Sequence, residues 1–277
     1  MRFSLMTYTV APSQPGGLQT LREMCAFAAE VGFEAMELSA GNLGEVSARE
    51  FAGICSEYGL AVSCLNGSAN LADADEDEFL QGLDQARYYL DLAGQMNCPV
   101  VMIIPGRAVD AADKPRAAQR IADGLGQVVE WASDRGVFVT IEDFPNPLAP
   151  YCSISEVRWL LDSVPGLGLT FDNGNWIVGG DDPVKALKAL GPKAINAHLK
   201  DWELDPERGH IETLDGRWIR GGVHGEGLLD QKAILSELKA QNYGGYLAFE
   251  YEGPLNHVES TRKGMKYLRS VLEEIGQ

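Results

Sequence analysis

The chain has 277 residues, and 45% of them are hydrophobic, which is enough for a large buried core and argues against a disordered protein. Acidic residues outnumber basic residues by 40 to 23, so the formal net charge is −17 at pH 7. A field of this sign repels phosphate backbones and anionic lipids, so we expect neither nucleic acid nor a membrane as a partner. The same field suits a site that collects a cation.

The cysteines and the first residues indicate the compartment. The five cysteines are odd in number, form no CxxC pair and stand mostly in apolar stretches such as MCAFAA. This pattern is typical of reduced, buried thiols in a reducing compartment. The first residues alternate as in a strand, and no apolar run reaches the length of a membrane span. We therefore expect a cytoplasmic protein.

Short β-rich runs alternate with runs of helical periodicity from residue 3 onward. The predicted strands cover residues 3–8, 35–38, 61–65, 100–104, 138–142, 167–172, 195–200 and 246–250. The predicted helices cover residues 18–31, 47–58, 76–96, 114–135, 153–163, 182–190, 230–241 and 257–275. Glycines that are typical of helix ends, such as Gly32 and Gly136, precede several of the strands.

Strands that alternate with helices favour parallel βαβ units. Eight of each over this length predict an α/β fold, a (β/α)₈ TIM barrel, in which residues 1–277 form a single domain. The alternative is an open doubly wound sheet, but the GxGxxG turn typical of such sheets does not follow the first strand. The connection from residue 201 to 229 is long, which indicates a lid or a binding wall. An inserted segment or an oligomer contact is the alternative for this connection.

The last four predicted strands carry polar side chains near their carboxyl ends. In a barrel of this type, catalytic groups come from those ends. Strand alternation places Glu142, Asp172, His198 and Glu250 on the inward face at matching depth. The same alternation places Ile195 on the outward face.

Three carboxylates brought together without a cation repel one another strongly, and a divalent metal removes that repulsion. Oxygen ligands with one imidazole suit Mn²⁺ best among the candidates, and Mg²⁺, Co²⁺ and Zn²⁺ also accept such ligands. Each residue taken alone has another reading, as a helix cap, an ion-pair partner or a structural histidine. The shared phase of all four favours one divalent metal ion.

The strand-end motifs IED, TFDNGN, AHLKD and FEYE, with GEGLLD before the seventh helix, resemble those of the xylose isomerase-like TIM barrels. The resemblance extends over essentially the whole chain and points to the sugar phosphate isomerase/epimerase branch. It implies that Glu142, Asp172, His198 and Glu250 bind the metal and that the two glutamates also act as catalytic acid and base. It also implies a homo-oligomer.

Two features depart from relatives in that superfamily. Epimerases of the family often carry a histidine three residues after the metal-binding aspartate, where this chain has Asn175. An amide can hydrogen-bond a sugar hydroxyl but cannot titrate, so Asn175 is a candidate substrate-binding residue and not a proton relay. The nuclease relative needs many histidines, and this chain has four, which argues against DNA repair.

The resemblance implies a divalent-metal-dependent isomerase or epimerase of a sugar or keto-sugar. In this mechanism, one glutamate abstracts the proton next to a metal-bound carbonyl, and the other returns it after an enediolate has formed. Lys200 would neutralise the oxyanion, or alternatively form a structural salt bridge. His224 would reach the substrate from the long connection, or alternatively be an ordinary loop histidine.

Two other functions fit the same residues. After proton abstraction, loss of a β-hydroxyl would make the protein a metal-dependent lyase or dehydratase acting on a keto-sugar or inosose. A barrel that binds a sugar without turnover is the second alternative, although a binding protein has no need for two opposed glutamates. No glycine-rich loop flanked by clustered basic residues stands near the seventh and eighth strands, which favours an unphosphorylated small-molecule substrate.

Overall fold

Eight parallel strands close into a barrel in the computed structural model, which describes residues 1–208 and 210–276. The barrel strands are Arg2–Met6 (β1), Ala35–Ser39 (β2), Ala61–Ser68 (β3), Val100–Ile104 (β4), Phe138–Glu142 (β5), Gly168–Asp172 (β6), Ala194–Leu199 (β7) and, after three short strands described below, Tyr246–Phe249 (β11). Their order around the barrel is β1-β11-β7-β6-β5-β4-β3-β2, and every neighbouring pair is parallel. The predicted fold class is therefore confirmed.

Helices lie between the strands in sequence. They are Leu21–Val31 (α1), Ala48–Glu57 (α2), Glu76–Met96 (α3), Lys114–Ser133 (α4), Ile154–Ser163 (α5), Asn175–Val178 (α6), Pro183–Leu190 (α7), Gln231–Ala240 (α8) and His257–Glu274 (α9). Helix α1 begins after Thr20, three residues later than predicted, because Thr20 and Glu23 form a capping box there. Among the described residues, no helix has both the length and the apolar character needed to cross a membrane.

The core has two layers. The outward side chains of the strands, such as Val139, Ile141 and Phe171, are fully buried against the helices. Inside the barrel, a smaller cluster contains Cys64, Val100 and Met102. Burial on both faces explains why these strands are rich in branched apolar residues.

A bulge in β7 changes which side chains face the barrel interior. Leu169 pairs with Ala194 and Thr170 pairs with Asn196, so β7 has one extra residue at Ile195. Ile195 packs against the interior cluster, and the prediction that it faces outward is wrong. Above the bulge, alternation resumes and sets the phase of the strand end.

The long connection after β7 folds into a small antiparallel sheet of Trp202–Leu204 (β8), Ile211–Glu212 (β9) and Trp218–Gly221 (β10). Asp201 holds the returning segment, because its carboxylate accepts hydrogen bonds from the backbone N–H groups of residues 225, 227 and 229 at 3.0–3.2 Å. Gly227 has to be a glycine here, since a Cβ atom would lie 2.2 Å from Asp201 Oδ1. The connection is therefore an ordered wall at the carboxyl end of the barrel.

Candidate metal centre and substrate cavity

The structure brings the four predicted ligands together at the carboxyl ends of their strands. Glu142 ends β5, Asp172 ends β6, His198 lies near the end of β7, and Glu250 directly follows β11. One ligand atom from each of the four residues lies within 4.8 Å of the others, and all four side chains are buried. A single metal ion could therefore contact all four residues.

The His198 ring lies at the centre of this group. Its Nδ1 atom lies 2.5 Å from Glu142 Oε1 and 3.1 Å from Glu250 Oε1. Lys200 lies beside the same carboxylates, with its Nζ atom 3.0 Å from Asp172 Oδ2 and 2.8 Å from Glu250 Oε2. Two nitrogen groups thus lie among three buried carboxylates.

The pKa values show how strongly this group depends on positive charge. Burial raises the pKa of Asp172 to about 8, against the lowering effect of the Lys200 ammonium group. Burial also raises the pKa of Glu250, again against Lys200. For His198, burial acts to lower the pKa, but the surrounding carboxylates, with Glu250 the strongest, raise it well above its ordinary value. The arrangement therefore favours a bound cation.

The donor set fits a divalent metal. Asp172 Oδ2 and Glu250 Oε2 are buried, yet within residues 1–208 and 210–276 neither oxygen accepts a hydrogen bond. Lys200 approaches both as an ion-pair partner, without hydrogen-bonding geometry. Three carboxylates and one imidazole can bind Mn²⁺, Mg²⁺, Co²⁺ or Zn²⁺.

A cavity of about 490 Å³ opens above this group. The predicted site residues that line it are Glu142, Asn175, His198, Lys200 and Glu250. Asp172 has no exposed surface, so it can act on a ligand only through a metal or a neighbour. Side chains from the long connection, including Trp202 and Ile211, form part of the cavity wall.

Asn175 lies where the sequence places it, at the cavity and close to Asp172. Its side-chain amide donates a hydrogen bond to the backbone oxygen of Asp143 at 2.9 Å, and its backbone N–H donates to Asp172 Oδ1 at 2.9 Å. Helix α6, which the sequence analysis did not predict, begins at this residue. These contacts fix the orientation of both Asn175 and Asp172.

His224 does not reach the cavity. Its ring packs on Phe249 with a centroid distance of 4.3 Å, and its Nε2 atom lies 3.0 Å from the backbone oxygen of Glu250. Helix α9 closes over it at Gly264, where a Cβ atom would lie 3.2 Å from His224 Cδ2. Burial lowers the pKa of His224 to about 4, so it is neutral at pH 7. The loop turns this side chain to the helix side of β11, away from the residues that line the cavity, and a role of His224 in substrate binding stays a prediction.

Two cavity residues were missed by the sequence analysis. Glu252 Oε1 lies 2.8 Å from Lys200 Nζ and accepts a hydrogen bond from the Tyr8 hydroxyl at 3.2 Å. Both Glu252 and Tyr8 line the cavity. The motif FEYE contained a signal for Glu252, since it lies two residues after Glu250.

Glu37 of β2 was also missed, and it contacts His198 from the opposite side to the cavity carboxylates. Its Oε1 atom lies 2.7 Å from His198 Nε2, and the side chain has no exposed surface. An isolated acidic residue in the apolar strand AMELS was the available signal. No pattern in the sequence indicated its partner, which lies on the distant strand β7.

Solved structures and curated proteins show what this chain resembles. The structure of 3-keto-D-glucoside 4-epimerase, YcjR, from E. coli superposes with a TM-score of 0.77 at 18% identity, over 98% of this chain and 99% of that chain. The IOLI protein with a bound zinc atom superposes with a TM-score of 0.80 at 16% identity, over 99% and 98% of the two chains. At these identities the two structures show a shared fold.

An inosose dehydratase of Clostridium perfringens (strain ATCC 13124) is 26% identical over 190 residues, which cover 64% of this chain and 61% of that protein. The chain thus matches less than two thirds of the length of this relative. The model of the family described as "Xylose isomerase-like TIM barrel" matches residues 25–271. This match confirms the resemblance seen in the strand-end motifs, and the chain belongs to the xylose isomerase-like TIM barrel family.

Proposed function

We propose that this protein is a divalent-metal-dependent isomerase or epimerase of an uncharged sugar or keto-sugar. One observation carries the proposal: Glu142 and Glu250 approach the same nitrogen of His198 from strands that β6 and β7 separate, and both line the cavity. Two carboxylates placed in this way can serve two different positions of one substrate. The YcjR epimerase, which shares the fold, acts on a keto-sugar derivative according to its name.

In the proposed reaction, Glu142, Asp172, His198 and Glu250 would hold a divalent ion, which would supply Lewis-acid chemistry to substrate oxygens. One glutamate removes the proton from the carbon beside the carbonyl, which leaves an enediolate. The other glutamate returns a proton to the same carbon for epimerisation, or to the neighbouring carbon for isomerisation. The Lys200 ammonium group neutralises the oxyanion, and the Asn175 amide binds a hydroxyl.

The charge of the cavity favours an uncharged substrate. Glu142, Glu250 and Glu252 line it, and the Lys200 ammonium group already lies within 3.0 Å of three carboxylates. Lys200 is the only lysine or arginine among the described residues that line the cavity, so a phosphate group would meet three glutamates and a single ammonium group. We therefore propose a substrate without a phosphate or carboxylate group.

A dehydratase acting on a keto-sugar or inosose is the second candidate. The Clostridium perfringens relative is named an inosose dehydratase. A feature of the cavity supports this candidate, since burial raises the pKa of the Glu250 carboxyl group, which in its protonated form would donate a proton to a leaving hydroxyl. A non-catalytic sugar-binding barrel is the third candidate, and it leaves the paired glutamates unexplained.

Metal content is the first test. Protein purified without added metal and then incubated with Mn²⁺ is analysed for elements, beside the variant His198→Ala. We expect one divalent ion per chain in the wild type and its loss in the variant. A wild type that holds no metal after incubation contradicts the proposal.

Isotope incorporation then separates the candidates. Keto-sugars are incubated with the metal-saturated protein in D₂O and the products are weighed by mass spectrometry. An isomerase or epimerase gives a product of unchanged composition that carries deuterium, whereas a dehydratase gives a product that has lost one water and absorbs as an enone. Glu142→Gln and Glu250→Gln, tested singly, should abolish deuterium uptake, and the exposed Glu130→Gln serves as the control. If both active-site variants exchange deuterium like the wild type, the acid–base roles are wrong.

A further inference from the structure

A buried carboxylate that the proposed reaction does not use lies across the barrel from the metal ligands. Glu37 belongs to β2, and strands β1 and β11 separate β2 from β7 in the barrel. Its side chain has no exposed surface, yet it reaches His198 through the barrel interior with a distance of 2.7 Å between Oε1 and Nε2. Burying a carboxylate is costly unless hydrogen bonds compensate, so its position requires an explanation.

Three nitrogen donors converge on this carboxylate. Glu37 Oε1 accepts hydrogen bonds from the Asn66 amide at 2.9 Å and from the Asn196 amide at 3.0 Å, in addition to the contact with His198. Asn196 also donates to Oε2 at 3.1 Å. Two strands other than its own, β3 and β7, therefore hold Glu37 in one place. The bulge at Ile195 contributes, because it sets the phase in which Asn196 and His198 both face the interior.

The two ring nitrogens of His198 have different partners as a result. A carboxylate accepts hydrogen bonds only, so Glu37 favours a hydrogen on Nε2, just as Glu142 and Glu250 favour one on Nδ1 as long as no metal ion binds that nitrogen. The other nitrogen, Nδ1, faces Glu142 and Glu250. In metal sites, the partner of the outer ring nitrogen fixes which nitrogen is free to bind and how the ring is oriented.

We propose that Glu37 is a positioning residue of the metal centre, which fixes the His198 ring with Nδ1 directed at the ion. The inference rests on the proposed function, since it assigns a role toward the metal that Glu142, Asp172, His198 and Glu250 would hold. Glu37 itself does not contact the ion or the substrate. It acts through the direction and tautomer of one ligand.

Two substitutions of Glu37 test separately the position of its side-chain oxygen and its negative charge. Glu37→Asp keeps the negative charge but withdraws the carboxylate from Nε2 by one methylene group. Glu37→Gln removes the charge but keeps an oxygen that can accept the Nε2 hydrogen. Ser63→Ala is the matched control, because Ser63 is buried on the neighbouring strand β3 and donates one hydrogen bond to the backbone of Met36, away from the ligands.

The dissociation constant for Mn²⁺ is measured by calorimetry on each full-length protein, and thermal unfolding of the metal-free form checks that each variant is folded. We expect Glu37→Asp to weaken binding by about 10–100-fold, the usual effect of losing such an outer hydrogen bond. We expect a smaller loss for Glu37→Gln and none for Ser63→Ala. If Glu37 acted only as a nearby negative charge, Glu37→Gln would weaken Mn²⁺ binding more than Glu37→Asp does.

The results distinguish this inference from the proposed function. If the wild type binds Mn²⁺, His198→Ala does not, and both folded Glu37 variants bind like the wild type, the metal centre stands and the role of Glu37 is wrong. The reversed order, or an equal loss in Ser63→Ala, also overturns the positioning role. If the wild type binds no Mn²⁺, the inference and the proposed function fail together.

Discussion

Lys200 is a buried, positively charged side chain at the edge of the cavity. Its Nζ atom lies within 3.0 Å of Asp172, Glu250 and Glu252, and the side chain is buried. For Lys200, burial acts to lower the pKa, but the three carboxylates, with Asp172 the strongest, raise it well above its ordinary value. The side chain is therefore a fixed positive charge at the edge of the cavity, as a group that stabilises an oxyanion has to be.

Lys200→Met should lower turnover without changing metal binding. We expect kcat to fall by about 10²–10³-fold, as when one oxyanion donor is removed, while metal content stays at the wild-type level because no ligand is lost. Steady-state kinetics and elemental analysis measure the two effects. Lys232→Met, which removes an exposed ion pair with Glu274, is the control. An unchanged kcat would show that Lys200 is only a structural ion-pair partner.

The buried thiol of Cys98 leads to a prediction about stability at alkaline pH. Burial raises the pKa of the Cys98 thiol from its ordinary value of 9.0 to about 12, against a hydrogen bond to the backbone of Val100. Between pH 9 and 12, the unfolded chain therefore loses this proton before the folded chain does. The stabilisation that comes from the shifted pKa of Cys98 is fully present below pH 9. As the pH rises from 9 to 12, the free energy of unfolding falls by at most about 1.4 kcal/mol per pH unit.

Cys98→Ser should flatten this dependence, because serine does not titrate in the range. Chemical denaturation at pH 8.5, 9.5 and 10.5 gives the free energy of unfolding of both proteins. We expect the wild-type curve to fall more steeply than that of the variant. Parallel curves would contradict the shifted pKa.

For single residues, strand alternation was enough to predict which side chains face the interior of the barrel. Glu142, Asp172, His198 and Glu250 each occupy an inward position at a strand end, and the structure brings them together. Glu37 also has an inward position, but its role depends on a contact with His198, 161 residues away in the sequence, which alternation does not predict. The direction of the His224 side chain could not be predicted, since a loop residue has no periodicity that indicates where it points.

Helix α9 packs so closely on β11 that it depends on a glycine. A Cβ atom at Gly264 would lie 2.8 Å from ring carbons of Phe249, which is buried between the barrel and the helix. Gly94 of α3 is the counterpart without such a contact, since a Cβ atom there meets nothing within 4 Å. The two helices therefore permit a matched pair of substitutions.

Gly264→Ala should destabilise the protein by about 1–3 kcal/mol, because the added methyl group forces the helix away from the strand. Gly94→Ala should stabilise it by about 0.5–1 kcal/mol, since alanine restricts the unfolded chain and favours a helix. Urea unfolding of both variants measures the difference. A neutral effect of Gly264→Ala would mean that α9 can shift without cost.

At the element scale, periodicity predicted the long elements and missed the short ones. The predicted bounds of α3 and β4 agree with the structure, because these elements carry many turns of helical pattern or a continuous apolar run. The strands of the long connection have two to four residues, which is too few to show alternation. The bulge at Ile195 could not be predicted either, since its cause lies in the pairing with β6.

The proposed metal centre joins four strands of the barrel, so metal should stabilise the whole molecule. An ion that binds only the folded state adds about 2.7 kcal/mol when its free concentration is 100 times the dissociation constant. For a chain of this size, this corresponds to a rise in Tm of roughly 5 °C. We expect this rise when Mn²⁺ is added to the EDTA-treated wild type, measured by calorimetry. The same addition should leave the Tm of His198→Ala unchanged, and an equal rise in both would contradict a site at His198.

For the molecule as a whole, the count and order of elements were enough to predict the barrel, and the strand-end motifs were enough to predict the family. Both are confirmed. The homo-oligomer, the cytoplasmic location and the extent of one domain over residues 1–277 stay predictions. They depend on other molecules, on the cell and on chain boundaries, and none of these leaves a periodic pattern in the residues.

The pairing of β1 with β11 has a consequence for synthesis on the ribosome. Arg2 pairs with Tyr246, so the edge of β1 stays open until β11 has been made. Glu250, the last of the proposed ligands, directly follows β11. A nascent chain that has not reached β11 therefore has neither a closed barrel nor four ligands, and the same segment completes both. In a cell, metal retained at this centre would mark the molecules in which the barrel has closed.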